Sequence, residues 1–353
     1  MTSPDQLSNP MPPLPPQPAD VPWPTAAWPE SEPDPDVDRE AVARVYRKLI
    51  EAPDEAKTGE THALLFVHRG RLVAEGYGCG HTRDSQLISW SMAKSILHAL
   101  VGILVREGRL NVREPAPVAD WRKAGDPRGA IAIEDLLRMV DGLDFVEEYV
   151  PGGVSHVIDM LFGPGKEDVA GYAADRPAKH APGSYWNYSS GTSNIVARML
   201  GERVGGGQAG MRAFMERELF ERIGIRGAEP RFDEAGTFIG SSYVFTTARN
   251  FARFGLLYLR DGVWEGERLL PEGWVDHARR LTPASFDQYG AHWWLAQDGS
   301  GRFHASGYQG QYIVVDPVRD LVMVRLGKTD VSLRPRVVWT LAEAVWAFPE
   351  LST

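Results

Sequence analysis

Ser89-Trp90-Ser91-Met92-Ala93-Lys94-Ser95 opens an apolar segment that runs to about Arg106. Its periodicity predicts a helix capped by Ser89 or Ser91 and ended by Gly108. Ser91 and Lys94 are three residues apart, so on a helix they share one face, a single turn from each other. A serine hydroxyl is a weak nucleophile until its proton is removed, and a lysine amine is a weak base until it is desolvated. Set together at the start of a buried helix, each supplies what the other lacks. The unpaired N–H groups of the first helical turn can also receive negative charge developing on a carbonyl oxygen. The pair points to a serine hydrolase; the plainer reading is a capping serine beside a solvated lysine.

Upstream, residues 62–68 and 71–77 are two β-prone runs around Arg69-Gly70 and read as a hairpin. Asp38 reads as the cap of a helix that continues through 41–50. Downstream, residues 133–140, 193–204, 211–223 and 247–260 carry helical periodicity, the last with Thr247 as its cap. The texture then changes. Residues 291–296, 302–306, 311–315 and 321–325 alternate or run apolar between tight turns, and a closing helix follows over 335–347. Strands at both ends with helices between them predict an α+β fold, an antiparallel sheet built from both termini with flanking helices, beside a mostly helical region. The expected division is a Pro-rich extended arm over 1–36, either pinned to the body by Trp23 and Trp28 or a wholly disordered tail, then a sheet region from 37–80 plus 291–353. The mostly helical region, 81–290, carries the nucleophile helix.

The 353 residues carry a formal charge of −9 and no dense Lys/Arg cluster, which argues against nucleic acid or an anionic membrane as partner. The longest apolar run, 96–105, is broken by His98 and too short to span a bilayer. A single cysteine, Cys79, excludes an intramolecular disulfide framework. No charged n-region with an apolar core follows Met1, so a cytoplasmic enzyme is expected. The nine histidines show no HExxH or comparable spacing, and no glycine loop precedes a helix as a phosphate cradle. Neither a metal nor a cofactor is therefore expected.

Two more stretches carry candidate chemistry. In Pro182-Gly-Ser-Tyr-Trp-Asn-Tyr188-Ser189-Ser190-Gly191, Tyr188 either aims its phenol at the Ser91–Lys94 pair or is a buried aromatic with a satisfied hydroxyl. Phe303-His304-Ala305-Ser306-Gly307-Tyr308-Gln309-Gly310-Gln311 is strand-like; by itself it reads first as a hairpin with structural glycines, and otherwise those glycines bring bare backbone N–H groups close to a substrate. Together with Leu136–Phe145 and Thr247–Gly255, these stretches resemble the serine β-lactamase and penicillin-recognising family. The likeness spans roughly residues 20–345 and is greatest to its class C-like branch of esterases and 6-aminohexanoate-dimer hydrolases.

The resemblance implies a β-lactamase/transpeptidase-like fold, with Ser91 as acyl-enzyme nucleophile, Lys94 as its proton acceptor and Tyr188 as general acid/base. It implies an oxyanion hole from the N–H of Ser91 and one N–H near Ser306, Gly307 or Tyr308. Tyr149 falls where that branch has a substrate-contacting tyrosine, and His304 falls near the cleft. Two departures stand out. The family's Tyr-x-Asn is here Tyr188-Ser189-Ser190, so Ser190 replaces the amide that grips a substrate carbonyl. The Lys-Thr-Gly strand motif is missing, and the aligned stretch is His304-Ala305-Ser306-Gly307. Lys328-Thr329-Asp330 looks like that motif but follows a later strand and lacks the glycine. Both departures count against penicillin hydrolysis and fit a small ester or linear amide as substrate. The alternatives are a catalytically idle ligand-binding relative and a true β-lactamase or D-aminopeptidase. A homodimer is compatible with all of these.

Overall fold

The structure, a computed structural model, describes residues 11–149 and 152–351. One antiparallel sheet of six strands organises it: β1 (Glu60–His68), β2 (Arg71–Tyr77), β3 (Trp294–Leu295), β4 (Phe303–Gly307), β5 (Gln311–Asp316) and β6 (Leu321–Lys328). Their order is β2-β1-β6-β5-β4-β3. β1 pairs along its length with β6, from Glu60 opposite Lys328 to His68 opposite Leu321. The two ends of the chain thus close a single sheet, with the intervening residues leaving it as an insertion.

β1 shows why its sequence is apolar without alternation. Ala63, Leu65 and Val67 pack into the large core shared with the helical region. Leu64 and Phe66 face the other way, into a smaller core under α1 (Arg39–Tyr46) and α5 (Arg334–Trp346). A strand covered on both faces favours apolar residues on both, as over 63–67. α1 begins where Asp38 accepts a 2.9 Å hydrogen bond from the Ala41 N–H. α4 (Ala248–Leu259) begins at Thr247 in the same manner. It crosses the sheet closely enough that a Cβ on Gly255 would lie 2.6 Å from Val322.

The helix after Ser91 differs from expectation at its start. Neither Ser89 nor Ser91 caps it. The chain enters through a 3₁₀ turn, Trp90–Met92, and becomes α2 at Ala93–Arg106. The Ser89 hydroxyl accepts from the Val244 N–H and lies within donating distance of the Trp90 and Ser242 carbonyls. It therefore anchors the turn to a small second sheet of Leu87–Ile88, Val244–Thr246 and Glu229–Pro230. α2 is buried on every side from Ala93 to Leu104, which accounts for its composition. Its polar residues have partners: Ser95 Oγ donates to the His292 carbonyl at 2.7 Å, and His98 meets Tyr258 at 2.8 Å. α3 (Ser190–Val204) is capped by Ser189, whose hydroxyl accepts from the Thr192 N–H.

The first ten residues of the arm lie outside the described chain. From residue 11 onward it is laid along the body. The Trp23 ring packs on Trp264 at 4.9 Å, Trp28 is buried, and Glu30 bridges to Leu72 of β2. Among the described residues, no helix is long and apolar enough to cross a membrane.

Candidate active site

Three distant parts of the chain meet around Ser91. The 3₁₀ turn presents Ser91, β4 passes beside that turn, and the segment before α3 brings Tyr188. The approach is tight: a Cβ on Gly307 would sit 2.4 Å from the Ser89 carbonyl oxygen, so only glycine fits there. The resulting cavity, about 220 Å³, is lined by Ser91, Glu147, Tyr149, Tyr188, Trp294, Ser306, Gly307, Tyr308 and Arg334.

Lys94 lies beneath Ser91 and is only 2% exposed. Its Nζ is 3.0 Å from Ser91 Oγ, 3.0 Å from Ser190 Oγ and 2.9 Å from the Ser241 carbonyl oxygen. Burial pulls its pKa down to about 8, with the Glu147 charge opposing. An amine so placed exchanges its proton close to neutral pH, as a base for Ser91 must. Tyr188 packs its ring 4.9 Å from the same Nζ. Burial, then Glu147, raises the phenol's pKa, and the Ser91 hydroxyl pulls the other way. Among the described residues no hydrogen bond of ordinary geometry joins the two hydroxyls. The net upward shift leaves Tyr188 protonated near neutral pH, so it is a donor there rather than a base.

The mouth of the cavity is aromatic. Tyr149 stacks on Tyr308 at 5.1 Å, and Trp90 meets Tyr308 edge-on at 5.8 Å. Ser306, Gly307 and Tyr308 face Ser91 across the opening. Arg334, at the start of α5, brings a guanidinium to the lining. It lies 3.4 Å from both Ser306 Oγ and Tyr312 OH, and among the described residues no carboxylate pairs with it.

A profile of the Beta-lactamase family matches residues 46–345. The chain belongs to that family. Its members are serine hydrolases, with a 6-aminohexanoate-dimer hydrolase among the relatives of this chain. It is 27% identical over 328 residues to the 6-aminohexanoate-dimer hydrolase of Paenarthrobacter ureafaciens, covering 86% of this chain and 82% of that one. The fold superposes on a Bacillus anthracis protein provisionally assigned as a 6-aminohexanoate-dimer hydrolase, with a TM-score of 0.74 and 20% identity over 92% of this chain and 89% of that one. A family VIII carboxylesterase superposes with a TM-score of 0.64 and 15% identity, over 90% and 98%. At these identities the two structures show the shared fold.

Against this family's pattern, two residues singled out by sequence sit elsewhere. His304 does not reach the Ser91 cavity. It lines a separate apolar hollow with Tyr312, Trp339 and Trp346, where burial lowers its pKa to about 4. Ser190 is buried and does not line the cavity; it lies between Lys94 and Glu147. Glu147 is the residue that sequence reading missed. It accepts from the Ser190 N–H at 2.7 Å and from Ser190 Oγ at 2.5 Å. Its one sequence signal is its place two residues before Tyr149, since nothing local links it to Ser190. Trp294 and Arg334 carried no signal at all. Away from the cleft, Glu60, His62 and Cys79 bring one ligand atom each within 4.8 Å of one another, a grouping that residue spacing did not reveal.

Proposed function

We propose that this protein is a serine hydrolase that cleaves a small ester or linear amide through an acyl-enzyme on Ser91. The observation that carries the proposal is the 3.0 Å contact of a buried amine with a hydroxyl that opens onto a cavity. Lys94, as the amine, takes the Ser91 proton while Oγ attacks the carbonyl carbon. The N–H of Ser91 and one from the Ser306–Tyr308 stretch receive the oxyanion. The leaving group collects the proton by way of the Tyr188 hydroxyl, and water then attacks the acyl-enzyme through the same steps in reverse. The 6-aminohexanoate-dimer hydrolase relative supports a small linear amide within that class.

A stopped-flow burst of one p-nitrophenolate per active site from p-nitrophenyl acetate, with an acyl adduct on the peptide containing Ser91, is the expected result. A wild-type protein showing neither burst nor adduct would overturn the reading. Nitrocefin is expected to turn over more slowly than the ester; a clear preference for nitrocefin would sink the substrate class.

Arg334 adds a preference within that class. A guanidinium without a carboxylate partner can hold a substrate carboxylate by charge-assisted hydrogen bonds. Arg334→Ala is expected to raise KM about tenfold, ~1.4 kcal/mol, for a p-nitrophenyl ester with a terminal carboxylate. The KM for p-nitrophenyl acetate should hardly move. Equal effects on both esters would remove this role.

A further inference from the structure

Counting protons around Lys94 gives Glu147 a function. Ser190 has two donors, its N–H and its O–H, and both point at Glu147, at 2.7 and 2.5 Å. With its only hydroxyl proton committed, Ser190 Oγ can meet Lys94 solely as an acceptor, at 3.0 Å. The Ser241 carbonyl, at 2.9 Å, is an acceptor by nature. A neutral amine has two N–H groups and one lone pair. The two N–H groups are taken by Ser190 and Ser241, and the third direction, 3.0 Å away, is Ser91 Oγ. The lone pair therefore faces the Ser91 hydroxyl proton. Were Ser190 free to turn, its hydroxyl could donate to Lys94 and occupy the lone pair instead.

We propose that Glu147, acting through Ser190, aims the Lys94 lone pair at Ser91 and sets the pH at which that lone pair becomes available. Glu147 is a positioning residue in this scheme, since it works through Ser190 and Lys94. The inference rests on Lys94 as the base proposed above. A carboxylate one hydroxyl away from a buried amine stabilises the ammonium form, so its removal makes the amine lose its proton at lower pH. The other groups facing Lys94 leave that sign intact. The Tyr188 ring is held protonated, and His292, buried beside the lysine, titrates only near pH 3. Around Glu147, Tyr149, Tyr188 and Tyr289 all have raised pKa values through burial and stay neutral in the working range. Arg334 also lines the cavity.

The test is an NMR titration of ¹³Cε-labelled lysine in the full chain, with the Lys94 signal assigned by its loss in Lys94→Arg. Glu147→Gln is expected to lower the Lys94 midpoint by about one pH unit. Glu147→Asp, which keeps the charge but withdraws it, should fall between Glu147→Gln and wild type, and it serves if the amide variant does not fold. With p-nitrophenyl acetate, the acidic limb of kcat/KM should move down with the midpoint while the plateau falls, because the lone pair is no longer aimed. An unchanged or raised midpoint in both variants overturns the proposal, as does a lowered plateau on an unmoved limb. The NMR midpoint is independent of turnover. A wild type without an acyl burst would therefore defeat the proposed function, and an unmoved midpoint would defeat this inference.

Discussion

Ser91→Ala and Lys94→Ala are each expected to lower kcat/KM for p-nitrophenyl acetate about 10⁴-fold, or ~5.4 kcal/mol of transition-state stabilisation. On the proposed mechanism the double variant should be no worse than either alone, because a nucleophile and the base that activates it act as one unit and removing one idles the other. The reasoning is geometric. Lys94 Nζ is in contact with Ser91 Oγ at 3.0 Å, and burial brings its pKa down to about 8, close to neutral pH. His292 titrates far below that range, and Tyr188 has a raised pKa. Steady-state assays of the three variants decide the matter. A Lys94→Ala enzyme within tenfold of wild type would assign the proton to another group. A double variant far worse than both singles would show two independent contributions.

Asp320→Asn is expected to destabilise the fold by about 3–5 kcal/mol, measured by urea unfolding, with no change at Ser91. Asp320 and Arg260 form an ion pair at 2.6 Å with side chains only 5% and 1% exposed. Loss of one partner leaves the other charge buried, which costs far more than a surface pair would. Asparagine is the informative choice because residue 320 has φ 46°, a left-handed conformation that asparagine tolerates. Arg260 also holds the arm, donating to the Pro15 carbonyl at 3.1 Å and to Gln17 at 3.0 Å. Faster proteolysis within residues 11–20 should accompany the loss. Combining Asp320→Asn with Arg260→Met should cost less than the sum of the two, since no unpaired charge then remains. A strictly additive double variant, or a loss below about 1 kcal/mol for Asp320→Asn, would mean that water reaches the pair.

Local rules reached far into this chain. The caps at Asp38 and Thr247, the hairpin around Gly70 and the four C-terminal strands follow from side-chain chemistry and period within a dozen residues. The Ser91–Lys94 contact was legible for the same reason, since three residues on a helix are one turn wherever the helix lies. The start of that helix was misread because Ser89 has better partners at Ser242 and Val244, which are remote in sequence. His304 was misplaced for a related reason. Ser306 of the same strand reaches the cavity, but His304 two residues back packs in the hollow beneath α5.

By itself, then, the amino-acid sequence determined the elements and the amine one turn from a hydroxyl, because each depends on neighbours along the chain. Only the tertiary structure decided what surrounds that amine. Glu147 and Ser190 are 43 residues apart, and Arg334 lies 28 residues beyond Ser306. No periodicity connects such pairs. Their meeting comes from how the insertion folds back over α2 and how α5 docks on the sheet, and burial there turns an ordinary lysine into one that titrates near pH 8.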